Sequence, residues 1–252
     1  MPPKKKPTKP KSASSKYRKT KPKAKSRVRV PKPVFVVREE EKQSIPLIPV
    51  SSLRRDTCEM KFEDYKRGGM IGRGFFGQVY ELCDSKKQCP YVLKVQPFAK
   101  EKKWYDVNVE DFAREIAFQR YVYDKLKLAP KIYDAWICKS NDPNDARVDD
   151  IGFVIMERMD GTLTDLLRQS ENVPREQIKQ ILELKLNVTK LHKLGIEHGD
   201  LSIDNIFYKR SGKSVQLFFG DFGFAHERGG VRPNNASDDD QRLRKILEIM
   251  GY

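Results

Sequence analysis

The stretch GIEHGDLSIDNIFY, residues 195 to 208, sets a polar turn between a long helical pattern and a short apolar run. Asp and Asn favour turns over helix or strand interiors, so this chain carries a polar loop to the point where it enters its core. A second polar turn, Gly220-Asp221-Phe222-Gly223, places Asp221 16 residues after Asn205. The apolar runs between the two turns, IFY and VQLFF, read as a hairpin that returns Asp221 beside Asn205. Any fold for this sequence must bring those two polar turns together.

The rest of the chain divides around that point. Residues 1–34 hold 14 Lys or Arg and no acidic residue, whereas the remaining positions hold 36 basic against 35 acidic residues. A Lys-, Pro- and Ser-rich segment of one charge repels itself and buries no apolar area, so it reads as a disordered basic tail that contacts nucleic acid or another polyanion. Residues 35–65 read as a connecting arm and 66–252 as the folded body. From Lys66 the pattern is strand-like: MIGRGFFGQVYELC as strand, Gly-rich turn and strand, PYVLKVQPF as a third strand, and IYDAWIC and IGFVIMERM as two more. Residues 109–126 space Phe112, Ile116, Ala117 and Tyr121 for one helix face. Pro174 and Gly195 bracket a long helix, and DDDQRLRKILEIM predicts another. The expected fold class is α+β, with a small strand-rich N-lobe (about 66–159) and a short helical C-lobe (about 160–252).

Four cysteines show no CxxC pair and no zinc spacing. Nothing marks the chain as secreted, so they read as reduced thiols, although Cys83 and Cys89 are spaced to face each other across a hairpin. The basic N-terminus lacks the apolar stretch of a signal peptide, and no run approaches a membrane span. An intracellular location is expected, nuclear or virion-associated given the tail, with no membrane partner.

The chemistry-bearing residues form an ordered set. Gly72, Gly74 and Gly77 in Ile71-Gly-Arg73-Gly-Phe75-Phe76-Gly-Gln-Val79 suit a backbone turn that closes over phosphate oxygens. A dinucleotide fold needs a helix directly after such glycines; here the chain continues as strand, which makes a hairpin lid. Lys94 lies on an apolar strand and needs an anionic partner. Glu115, on the 109–126 helix, supplies one. Asn205 and Asp221 offer hard oxygen ligands for Mg²⁺ on nucleotide phosphates, and Asp200 is free to orient an acceptor hydroxyl and take its proton.

In that order these residues resemble the eukaryotic-type protein kinase superfamily over roughly residues 66–250. The resemblance implies ATP and Mg²⁺ as cofactors. Lys94 would hold the α- and β-phosphates, Glu157 to Met159 would form the hinge that receives adenine, and Met156 would stand behind it. Asn205 and Asp221 would hold the metal, and Asp200 would be the catalytic Asp. YVLKVQP, FVIMERM and HGD resemble the vaccinia-related and casein-kinase-1 branch, and HGDLSxxN is equally similar to RIO-type and Bud32-type kinases. SDDDQRL resembles the start of a buried helix in these kinases, which makes Asp239 the residue that braces the catalytic loop. A large-DNA-virus source would suit the small size and basic tail.

Three departures bear on function. Gly199 stands where an Arg often grips a phosphorylated activation loop. Ser202 stands where many Ser/Thr kinases carry a Lys that helps hold the γ-phosphate. Only 17 residues separate Asp221 from Asp239, with no APE motif. The leading reading is a Ser/Thr protein kinase acting on protein substrates. The alternatives are a kinase-like nucleic-acid-binding or scaffold protein without phosphotransfer, and a small-molecule kinase.

Overall fold

The computed structural model describes residues 44–74, 77–99, 107–140, 148–169, 174–212 and 214–252. The basic tail, the start of the arm, and Phe75 and Phe76 lie outside them. The N-lobe is a five-stranded antiparallel sheet made of β1 (Lys66–Gly74), β2 (Gly77–Cys83), β3 (Tyr91–Ala99), β4 (Ile132–Lys139) and β5 (Val148–Glu157), in the order β1-β2-β3-β5-β4. A four-residue helix, α1 (Val50–Leu53), precedes it, and α2 (Val109–Leu126) packs on it.

The sequence explains where α2 starts and stops. Asn108 and Asp111 form a reciprocal capping box at its N-terminus, with Glu110 and Asp111 in the first turn. Lys127 ends it in the left-handed conformation and donates its N–H to Tyr123 O. Its apolar face buries Phe112, Ile116, Ala117 and Tyr121, at about 1.5–3 kcal/mol for each large side chain.

The C-lobe holds α3 (Leu163–Gln169), α4 (Pro174–Lys193) and α5 (Asp239–Ile249). Its small sheets pair β6 (Gly161–Thr162) with β8 (Ile206–Ser211) and β9 (Ser214–Phe219), and β7 (Ile196–Glu197) with β10 (His226–Glu227). Helix α4 satisfies the outer edge of β9 through side chains: Leu217 donates its N–H to Glu183 Oε1 at 2.8 Å, and Leu217 O accepts from Asn187 Nδ2 at 3.4 Å. Such edge groups, buried without partners, would be costly. Among the described residues no helix is long and apolar enough to cross a membrane.

The architecture is therefore the two-lobed α+β fold expected, but the cysteines are a correction. They are not free thiols: Cys58 pairs with Cys138, and Cys83 with Cys89. The β2–β3 turn brings Cys83 and Cys89 together. Cys58 reaches β4 because the chain just before it runs along that strand, with Arg54 bridged to Ile137 and Arg55 N–H bonded to Ile137 O at 2.8 Å.

Candidate active site

Register places each polar group of the cleft. In β3, every second residue faces the helix side, and Lys94 is set opposite Val79 of β2 and Val154 of β5. Its Nζ lies 2.7 Å from Glu115 Oε1, and both side chains are nearly buried. Burial disfavours the ammonium, but the Glu115 and Asp221 carboxylates outweigh it and hold Lys94 above the ordinary amine value. Burial also lifts the Glu115 carboxyl, against the pull of Lys94.

The two polar turns meet as the hairpin requires. Ile206 pairs with Phe219 at the open end of β8–β9, and Gly220 donates its N–H to Asn205 O at 2.8 Å. This contact sets Asp221 beside Asn205. Asp221 adopts φ 58°, a left-handed conformation rare for a non-glycine residue. Asn205 Nδ2 donates to the Asp200 backbone O and to Asp200 Oδ2, both at 2.9 Å. Its carbonyl oxygen is thereby turned away from Asp200. Burial raises the Asp200 carboxyl above its usual range and Asp221 adds to this, while His198, Arg242 and Asn205 pull it down.

The loop bearing Asp200 is fixed from beneath. Asp239, 1% exposed, accepts the backbone N–H groups of His198 at 2.7 Å and Gly199 at 2.9 Å, and lies 3.1 Å from His192 Nε2. Burial pushes its carboxyl up, but the His192 ring and those backbone donors outweigh it and hold it below the ordinary carboxylate value. The His198 ring is buried, 2.9 Å from Gly220 O, which ties this loop to the second turn. Gly199 sits at φ +77°, and a Cβ there would lie 2.3 Å from Phe224 O. The missing Arg at this position is thus a backbone requirement as well as a lost charge.

The cleft is lined by Gly74, Gly77, Val79, Lys94, Glu115, Met156, Asn205 and Asp221, all singled out in the sequence. Of the three motif glycines, only Gly77 meets a steric demand, since a Cβ there would fall 2.3 Å from Val95 O; at Gly72 and Gly74 there is room. Ile71, Gly72 and Arg73 belong to β1 outside the lining, and Ile71 is exposed. Glu157 and Met159 are also outside it. Glu157 N–H is bonded to Lys131 O and Arg158 N–H to Pro90 O.

Gln119, Pro130 and Phe207 line the cleft unforeseen. Gln119 was legible, one helical turn beyond Glu115 on the same face of α2; it donates to Pro130 O at 2.9 Å. Pro130 gave no signal. Arg242, on α5, was also missed, and its Nη2 lies 3.8 Å from Asp200 Oδ1. Ser202 caps its own turn, its Oγ accepting Asn205 N–H at 3.1 Å.

Residues 65–236 match the protein kinase domain family. Among curated relatives, the B1 kinase of vaccinia virus (strain Ankara) is 24% identical over 170 residues, covering 62% of this chain and 50% of that protein. CBL-interacting protein kinase 30 of Oryza sativa subsp. japonica is 25% identical over 169 residues, 67% of this chain and 32% of that protein. The serine/threonine-protein kinase H1 homolog of Pinctada fucata is 26% identical over 168 residues, 66% and 36% respectively. The chain spans half or less of the length of these relatives. With the family match covering most of its length and the two-lobed fold around the cleft, the chain belongs to the eukaryotic-type protein kinase superfamily.

Proposed function

We propose that the chain is an ATP- and Mg²⁺-dependent protein kinase that transfers the γ-phosphate to Ser or Thr hydroxyls of protein substrates. One observation carries this reading: a buried Lys94–Glu115 pair, Asp221 and Asn205 converge at one cleft, with Asp200 held at its edge by Asn205, from four separate stretches of chain. The donor set fits the metal, since Asp221 and the Asn205 carbonyl offer hard oxygens without soft competitors. Bound there, Mg²⁺ would supply charge neutralisation on the phosphates. Lys94, fixed by Glu115, holds the α- and β-phosphates. The hinge N–H groups of Glu157 and Arg158 are already used, which leaves the Met159 amide to receive adenine. Asp200, oriented by Asn205, aligns the acceptor hydroxyl and takes its proton as the phosphoryl group leaves ADP.

Residues 1–34 would bring the enzyme to nucleic acid or another polyanion by contacts that weaken with salt. We place the activity inside a cell, in the nucleus or at viral assemblies, on the strength of that basic segment; the two disulfides weigh against a reducing compartment.

The test offers casein, histone and no substrate to the purified chain with labelled ATP and Mg²⁺, beside Asp200→Ala. Label on protein that falls by orders of magnitude in the variant, with nucleotide still bound, is the expected result. Equal labelling in the variant would overturn the assignment. ATP binding without labelling by either would favour the scaffold reading.

A further inference from the structure

The apolar face of α2 that packs on the sheet is also met by the chain's own residues 45–58. Ile45 is buried in the C-lobe core with Phe118, Tyr121 and Leu128, and its N–H donates to Glu227 Oε1 at 3.1 Å, just beyond the second polar turn. Ile48, Val50 and the buried Leu53 then pack with Phe112, Ala113 and Ile116 of α2 and with Phe98 of β3. After α1 the segment is fastened to the sheet four times. Arg54 makes a two-pronged pair with Asp150 at 2.5 and 2.8 Å, Arg55 pairs with Asp134 at 2.6 Å, the Arg55 N–H bonds to Ile137 O, and Cys58 is bonded to Cys138. Fork-to-carboxylate pairing of this kind fixes orientation as well as distance.

This covered face and the cleft face belong to one rigid helix. Ile116 follows Glu115 directly, and Phe112 and Ala113 lie one turn before it. Any rotation or outward shift of α2 that separates Glu115 from Lys94 must also open the contact with Leu53. The neighbouring Arg114 adds a tie on the C-lobe side, its Nη2 donating to Gly223 O at 3.2 Å. In kinases, the position of this helix decides whether the Lys–Glu pair is made. Here the segment bridges both lobes and both ends are anchored.

We propose that residues 45–58 are a built-in positioning clamp. Ile48, Val50 and Leu53 hold α2 where Glu115 stays on Lys94, so the phosphate-holding arrangement needs neither a partner protein on α2 nor a phosphorylated loop. The inference rests on the kinase reading above, and its test separates the two.

The experiment is a double-mutant cycle in the full chain. Leu53→Ala and the milder Val50→Ala are each made alone and with Glu115→Gln. Turnover, KM for ATP, affinity for a non-hydrolysable Mg-ATP analogue, and Tm are measured. A clamp acting through Glu115 makes the effects non-additive: Leu53→Ala costs about tenfold in turnover and in analogue affinity alone, but less than about twofold in the Glu115→Gln background, in line with coupling energies of touching groups. Equal losses in both backgrounds, or no loss in either measure, would overturn the clamp. If Leu53→Ala does not fold, Val50→Ala gives the same comparison at smaller amplitude. If the wild type transfers no phosphate, the kinase reading fails, and the analogue affinities still decide the clamp.

Discussion

Replacing Asp239 by Ala tests how the loop bearing Asp200 is held. The carboxylate is 1% exposed and accepts two backbone N–H groups, from His198 and Gly199, besides facing His192. Truncation leaves both amides buried with no partner, at about 1–3 kcal/mol each. It also removes the anion facing His192. The expected loss is about 3–5 kcal/mol, from the two buried amides left without their acceptor. For a domain of this size each kcal/mol moves Tm by about 2–4 °C, so a drop of roughly 6–20 °C is expected in thermal unfolding followed by circular dichroism. Asp239→Asn keeps the shape and one acceptor oxygen and should lose about half as much.

Acid supplies a second arm. The folded-state value of Asp239 is depressed, so its stabilisation is complete above the unfolded value and is lost as pH falls through the folded one. The stability gap between wild type and Asp239→Asn should therefore narrow below about pH 4. A Tm loss under about 2 °C for Asp239→Ala, or a gap that stays constant in acid, would refute this account of the loop.

Two further outcomes are expected. Gly199→Ala should destabilise by about 2 kcal/mol or more, from the left-handed backbone and the collision with Phe224 O; urea unfolding at the wild-type midpoint would contradict the strained geometry. The double variant Cys58→Ala/Cys138→Ala should lose up to about 4 kcal/mol in the chain-entropy account, because that bridge spans 80 residues, against roughly half for Cys83→Ala/Cys89→Ala across six. Equal Tm values with and without reductant would show that neither bridge contributes.

Much of the molecule is legible in the sequence because its signals are local. Helix α2 is predicted over 109–126 by apolar spacing, and Asn108 and Asp111 cap it by rules that act within four residues. The β8–β9 hairpin follows from two apolar runs between polar turns, and pairing Ile206 with Phe219 then carries Asp221 to Asn205. Ordered spacing along the chain therefore located most of the cleft. What the sequence could not show depends on approaches between distant segments. Residues 45–58 read only as an arm because one short apolar stretch with two prolines has no period; its role appears when Leu53 meets α2 and Cys58 meets Cys138. Arg242 looks like an ordinary charge on the exposed side of a helix until α5 brings it to Asp200. Local chemistry set the elements and the residue types of the cleft. Only tertiary packing decided that Cys58 pairs with Cys138, which face of α2 is covered, and why position 199 admits nothing larger than glycine.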